Sequence, residues 1–492
     1  MGLNTDLTKF TLSPKELVTA DNLEVMNRGG VKKRWGVTPL NSSSYSATVH
    51  QIIEWRREDG TLDILALIGS DLYKVSQSDG SLTQLQAVNA DRIPYYFLNG
   101  NLYFIDPGTE YYVYNGSSVS AVTPNGDSSN DLSPIKKCTM AYYHTKSHRI
   151  FFAGNPDAKS AIYYSEPDDP TYVKGTSVLY PTRAEGNVLG IQVLMDAFVV
   201  GYNHGMWIWR GVTPGTDAVW EKLPTNHGPI NPEAFALTTA ALGMVSNEGI
   251  FAVLPSIIGV NMENQAGDQY IKNIAKDRVS NLMKDCTNPD KIRTVYHNKS
   301  SRFLIAYCDD GTGQNNKVLS FDFDTQGFSL YKGLSINDFC QTTDGKLYAA
   351  MDNYIVEFDE DSVEDLDSSG TTTVIDFKMK TPPYSLGNPF LRKKVHKIIV
   401  AYKNFGLIID IKMSLYVDGE KVDEFTLSGD DSGTEIITHR QKTYYAGQKF
   451  SLEFENNQYT PVEIYGFGLL YTPADTGGSK VNFVEGGGVS VS

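Results

Sequence analysis

The chain holds residue types that do chemistry, but their spacing does not suit it. Of eight histidines only His144 and His148 stand four apart, the separation that would put two imidazoles on one metal from a helix. The intervening Thr145-Lys146-Ser147 offers neither a carboxylate base nor a helical pattern, so no metalloprotease centre is expected. Asp322-Phe323-Asp324 and Asp359-Glu360-Asp361 concentrate oxygen ligands, yet neither completes a Ca²⁺-binding loop. The cysteines Cys138, Cys286, Cys308 and Cys340 are widely spaced and form no C-x-x-C pair, which argues against zinc or a disulfide framework and for buried thiols in a reducing compartment. No phosphate loop, dinucleotide fingerprint or nucleophile elbow falls in a strand-to-helix setting. The expectation is a protein with no catalytic residue, no metal and no cofactor.

Basic residues give the second signal. The chain carries 43 Lys and Arg against 58 Asp and Glu, a formal net charge of −15. That balance repels polyanions and argues against sequence-specific DNA binding, although an acidic wall would let a duplex slide past without sticking. Two basic islands stand out: Arg28, Lys32, Lys33 and Arg34 closing on Trp35, and Arg392, Lys393 and Lys394. The first could hold a neighbouring subunit or a phosphate, and both are candidate subunit contacts.

These residues must be positioned by strands. A loose phrase recurs: a short apolar strand, a polar turn with Gly, Asp or Asn, then a strand opening on an apolar-aromatic pair. It reads ILALIGSDLYKVS from Ile64, YYFLNGNLYFID from Tyr95, FVVGYNHGMWIWR from Phe198, LGMVSNEGIFAV from Leu242 and FCQTTDGKLYAAMDNYIVE from Phe339. Each is a hairpin with period-two alternation. One hairpin cannot bury its apolar face alone, so the units must pack on one another, as propeller blades do. The fold expected is all-β: a degenerate β-propeller of six to eight blades over residues 46–370, with an N-terminal arm at 1–45. Longer strands at 371–472 suit an added C-terminal β-sandwich, and 473–492 is a Gly/Ser-rich tail in which Lys480 to Val484 could pair with a neighbour.

Three local features complete this reading. Leu12 to Leu17 looks like a helix start with Pro14 at its first position. Tyr270 to Lys284 carries an amphipathic helical stripe. Asp359 to Ser369 reads as an acidic linker or exposed loop. No leader is expected from MGLNTDLTKF, and no apolar run is long enough to span a membrane.

Glycan cleavage needs two carboxylates at the right separation, and acidic residues are too abundant for that to signal anything. The nearest approach to an Asp-box turn, Ser76 to Gly80, has its Asp one place late.

Six stretches resemble, in order, the tail hub or nozzle proteins of short-tailed bacteriophages, the family of the P22-like packaged-DNA stabilisation protein. They are SPKELVTADNLEVMNRGGVKKRWGV at 13–37, AIYYSEPDDPTYV at 161–173, GIQVLMDAFVVGYNHGMWIWRG at 190–211, ALGMVSNEGIFAV at 241–253, FKMKTPPYSLGNPFLRKKVHKIIV at 377–400 and EIYGFGLLY at 463–471. The resemblance implies a virion protein, assembled in the bacterial cytoplasm as a ring of six. Its partners would be portal and adaptor proteins, tail fibres or a needle, and the DNA that passes through. It implies no catalytic residues. A glycan-binding or glycan-cleaving propeller and a host scaffold are the competing readings.

Overall fold

The computed structural model describes residues 2–27, 29–182, 185–216, 220–239, 241–256, 271–367, 369–406 and 408–474, and the backbone of 482–486. Arg28, and most of the expected tail, lie outside the described residues.

Seven antiparallel four-stranded blades form the body, in strict chain order. The first six open on Val49–Arg56, Tyr95–Leu98, Met140–His144, Val188–Leu194, Phe235–Leu237 and Arg293–His297, and the seventh on Ile336–Gln341. These opening strands neighbour one another from the second blade round to the seventh, the seventh lies against the first, and the Gln51 side chain ties the first to the second through the Ile93 backbone. Alternation explains the packing. In Leu62–Ile68, Ile64, Ala66 and Ile68 join a cluster with Tyr348, Ala350 and Ile355 of the seventh blade, while Leu65 and Leu67 face Leu102 and Phe104 of the second. Adjacent residues thus feed opposite clusters, as period-two geometry requires. Similar clusters fill every junction from the second blade round to the seventh. The ring of cores is closed.

The residues read as an arm do the closing. Gly36–Pro39 is the outermost strand of the seventh blade, pairing with Tyr354–Asp359, so the last blade is completed by chain from the opposite end of the sequence. Gly36 is required by a close approach: a Cβ there would meet the Glu364 carbonyl oxygen at 2.1 Å. Earlier in the segment, Thr19–Asp21 lies between Gly327–Lys332 of the sixth blade and Phe377–Lys380.

Through that strand the sixth blade runs on without a break into Phe377–Lys380, Phe450–Asn456, Ile411–Val417 and Glu420–Leu427, one nine-stranded sheet. A second sheet, in the order Leu23–Val25, Val31–Lys33, Glu463–Pro473, Lys393–Lys403 and Ile436–Gly447, packs against it, and Asn482–Gly486 pairs with Glu463–Pro473. Phe377, Met413, Leu415, Phe450, Leu452 and Phe454 of the first sheet share one core with Val395, Ile398, Val400 and Leu469 of the second. The same core includes Phe303, Ile305 and Phe321 of the sixth blade. Propeller and sandwich are one packed body.

Three local expectations are corrected. Ser13 and Pro14 begin no helix: the chain turns there and enters Glu16–Leu17, which pairs in parallel with Gly2–Leu3. The helix expected over Tyr270 to Lys284 is instead an edge strand, Ile271–Asn273, followed by a single helical turn, Ser280–Lys284. Its apolar residues, Ala275, Val279 and Met283, pack with core residues of the fifth and sixth blades from a turn and one helical turn rather than from a continuous helix. The acidic linker is partly internal, because Glu364–Leu366 pairs with Thr372–Val374 and buries Asp365 and Leu366.

Candidate interaction surface

A propeller's axis is the first place to look for a site. Here the opening strands enclose a cavity of about 470 Å³, lined by Gln51, Tyr95, Phe97, Tyr142, Gln192 and Phe339 together with Arg92, Glu233 and Asp338. Arg92 Nη2 donates to Asp338 Oδ1 at 3.1 Å and lies 3.3 Å from Glu233 Oε1. Asp338 Oδ2 accepts from the Ile52 amide at 2.9 Å. Burial, reinforced by the Glu233 charge, raises the Asp338 pKa. Burial also works on Glu233, but Arg92 and Arg293 outweigh it and hold that carboxyl below its ordinary range. Arg293, stripped of water and facing Arg92, is pushed down to about 10. The Glu233 side chain keeps 43% of its surface accessible and lines the axial cavity. Both carboxylates share one guanidinium, which holds them as a structural cross-tie between the second, fifth and seventh blades.

His144 and His148 do not converge on a metal. His144 is buried, with Nδ1 2.8 Å from Ser147 Oγ and Nε2 3.2 Å from the Asp196 carbonyl, whereas His148 is exposed beside Asp168. No group of metal-ligating side chains is found among the described residues. Cys138, Cys308 and Cys340 are buried free thiols, and Cys286 is half-buried.

Lys33 and Arg34 of the N-terminal basic island turn inward. Arg34 is 1% exposed. Its Nη1 donates to Asp365 Oδ1 at 2.9 Å and to the Trp35 carbonyl at 2.8 Å, its Nη2 also binds Asp365 Oδ2, and its Nε donates to Asn22 Oδ1 at 2.9 Å. Asn22 sits in the left-handed region, with φ of 53°. There its side chain also accepts from the Lys332 amide and donates to the Asp376 carbonyl, joining the sixth blade to the sandwich. Lys33 Nζ is buried on Asn456 Oδ1 and the Gln458 carbonyl, and burial, helped by Arg34, lowers its pKa to about 8. Lys33 and Arg34 therefore cannot touch a partner, which corrects their reading as contact residues. Lys32 reaches Glu24 at 3.3 Å and covers Trp35, whose ring meets His297 edge-on at 5.2 Å.

The second island splits. Lys393 is buried and donates to the Asn388 carbonyl, so it too is withdrawn as a contact. Arg392 and Lys394 stay exposed. Arg392 donates to the Ala446 carbonyl at 3.1 Å, and Lys394 Nζ lies 5.7 Å from the Tyr444 ring. Beside them Phe390 is 85% exposed and Tyr444 68%.

The strand pairing extends this surface beyond what the sequence reading singled out. Lys393–Lys403 and Ile436–Gly447 pair with Lys397 opposite Lys442 and Ile399 opposite Arg440. All four belong to the face turned away from the core, since the intervening Ile398 is fully buried. Like charges directly opposite one another are unfavourable in a sheet. Among the described residues, no carboxylate pairs with Arg392, Lys394, Lys397, Arg440 or Lys442, although Lys378, Lys380, Lys403 and Lys421 of the same sandwich are all paired. The missed signal was alternation: Thr438, Arg440, Lys442 and Tyr444 occupy every second position of one strand.

No family model matches this chain, and no curated protein matches it. Among solved structures it is similar to the extracellular domain of the one component system BT4673 from B. thetaiotaomicron, with 13% identity over 81% of this chain and a TM-score of 0.44. The chain spans 48% of that domain's length. The Neurospora crassa Pan2 WD40 domain is 8% identical over 68% of this chain and 97% of its own length, with a TM-score of 0.42. An exo-β-1,3-galactanase from Phanerochaete chrysosporium is 9% identical over 87% of this chain and all of its own, with a TM-score of 0.24. Likenesses of this size carry no functional argument, and the propeller is read from the strand order itself. Among the described residues no helix is long and apolar enough to cross a membrane.

Proposed function

We propose that this chain is a structural subunit of a short-tailed phage tail: a nozzle or hub component that forms a ring on the portal-adaptor channel. In that place it retains and conducts the packaged DNA and supports fibres or a needle. The observation that carries the reading is the continuous nine-stranded sheet through blade and sandwich, pinned by the buried Arg34 and Asp365 pair. Enzymes that close on substrate need hinges between their parts. A wall that holds a pressurised genome needs none. The ordered resemblance to nozzle proteins supports the same reading, as does charge: residues 46–370 contain 24 Lys and Arg against 40 Asp and Glu, the sign that lets a duplex slip by.

Electron microscopy and native mass measurement of the full chain, with and without portal and adaptor proteins, test the proposal. The expected result is a ring seated on the portal-adaptor tube. A protein that stays monomeric and ignores both partners contradicts it.

The axial cavity favours one other reading, a glycan site, because aromatic walls surround two carboxylates whose pKa values are pushed apart, a pattern that acid-base pairs share. A glycan array and a reducing-sugar assay on the wild type and Asp338→Asn decide. Sugar release lost in the variant would replace the structural proposal, and silence in both assays leaves it standing.

A further inference from the structure

The unpaired basic face of the sandwich has an acidic counterpart on the same molecule. Antiparallel order puts the loops after the first and third strands of each blade at one end of the propeller. At that end the first and seventh blades meet, with the Thr343 amide donating to Glu54 Oε1 at 2.8 Å. Their exposed loops carry Glu58, Asp59, Asp79, Asp344 and Asp361, and none of these five forms an ion pair among the described residues, although Arg57 acts on Asp59 and the exposed Arg56 binds Thr343 on the same rim. Asp59 and Asp79 are held below the ordinary carboxylate range chiefly by turn hydrogen bonds from Thr61, and from Ser76 and Ser81. Charge is also segregated over the whole chain: the propeller region has the acidic excess given above, while residues 371–474 balance 12 Lys and Arg against 12 Asp and Glu. The sandwich offers its cations outward in a balanced domain, and the propeller offers its anions in an acidic one.

We propose that the basic face formed by Arg392, Lys394, Lys397, Arg440 and Lys442, with Phe390 and Tyr444 at its edge, docks on the acidic rim of the first and seventh blades of a second copy of this chain. The contact is heterologous, basic face to acidic rim, so each copy keeps one free surface of each kind and the assembly grows until it closes. Aromatic residues beside Arg and Lys are what the centre and border of a protein interface use. A second copy is favoured over a nucleic acid because the complementary surface is present at equal concentration on every molecule, and because the acidic bulk of the chain repels a polyanion approaching from any other direction. This inference rests on the ring reading for its biological setting, but not for its physics.

The test is a charge exchange on the full chain. Lys397→Glu with Lys442→Glu removes the basic face, and Asp59→Lys with Asp344→Lys inverts the rim. All four positions are on the surface, and circular dichroism melting verifies that each variant is folded. By sedimentation, each double variant alone should self-associate at least about tenfold more weakly than wild type, and an equimolar mixture of the two should recover assembly with the variants alternating, since only contacts between unlike variants bring opposite charges together. Self-association unchanged in both variants, or no recovery on mixing, overturns the inference. So does loss of duplex DNA binding in Lys397→Glu with Lys442→Glu while self-association stays intact, which would assign the face to a polyanion. Assembly that shows the exchange pattern but does not join a portal-adaptor tube keeps the contact and removes the tail reading. A ring on that tube that ignores the substitutions does the reverse.

Discussion

The two basic islands look alike in sequence and meet opposite fates. Lys32-Lys33-Arg34 supplies the seam of the molecule, whereas Arg392 and Lys394 open a surface that Lys397, Arg440 and Lys442 enlarge. What separates them is the fate of the charge. Arg34 finds Asp365, Asn22 and a backbone carbonyl within hydrogen-bonding distance, and a buried ion becomes tolerable only when its donors are used in this way. The C-terminal cations find neighbours of the same sign. A run of cations is thus two different objects, and the partner set decides which.

The largest expected effect comes from breaking the seam. Arg34→Ala leaves Asp365 buried and uncompensated, so urea unfolding should show a loss of about 3–5 kcal/mol. A loss as small as that of an exposed lysine substitution would mean the seam is not what holds the closing strand. Gly36→Ala comes next, because its Cβ would press on the Glu364 carbonyl and the Ser362 hydroxyl, and overpacking of that kind costs roughly 1–3 kcal/mol. The same variant made at an open turn glycine, Gly60, should not share the clash term.

Acid sharpens the contrast further. His297, buried against Trp35, is lowered from 6.5 to about 4, mainly by desolvation. Between those values the unfolded chain binds a proton that the folded one does not, so stability falls as pH drops from 6.5 towards 4. Melting curves across that window should show a slope that His297→Gln reduces, an effect of about 3 kcal/mol at the acid end. An identical slope in both proteins would place the acid sensitivity elsewhere.

The smallest effect has the most diagnostic sign. Lys442→Glu puts an opposite charge across from Lys397 and should stabilise the isolated chain by about 0.2–1 kcal/mol, while weakening self-association. Lower stability with unchanged association would mean that the ribbon is only a solvated edge.

Much of the propeller could be read from residues. Ile64 to Ser76 and Tyr95 to Asp106 are hairpins because alternation and turn chemistry are local, and their second strands fall within those bounds at Asp71–Val75 and Asn101–Asp106, while the first strand of the former starts two residues earlier, at Leu62. Gly36–Pro39 could not be assigned in advance, since its partner Tyr354–Asp359 is more than three hundred positions away and nothing in a four-residue strand names it. The inward turn of Lys33 and Arg34 was hidden for the same reason, with the counterion Asp365 sitting in a stretch that composition marks as solvated. Apolar residues at 271–283 fit a helical stripe and equally fit an edge strand plus a turn, and packing beneath two blades selected the second. The outward face became legible only with register, because Lys397 and Lys442 are remote in sequence and adjacent in the sheet.

Hydrogen-deuterium exchange of the full chain at low and high protein concentration tests the division between seam and surface most directly. Amides of residues 31–39 should be protected equally at both concentrations, while Lys393–Lys403, Ile436–Gly447 and the loops around Asp59 and Asp344 gain protection as copies meet. Protection gained at residues 31–39 with no change along the basic ribbon would contradict the account.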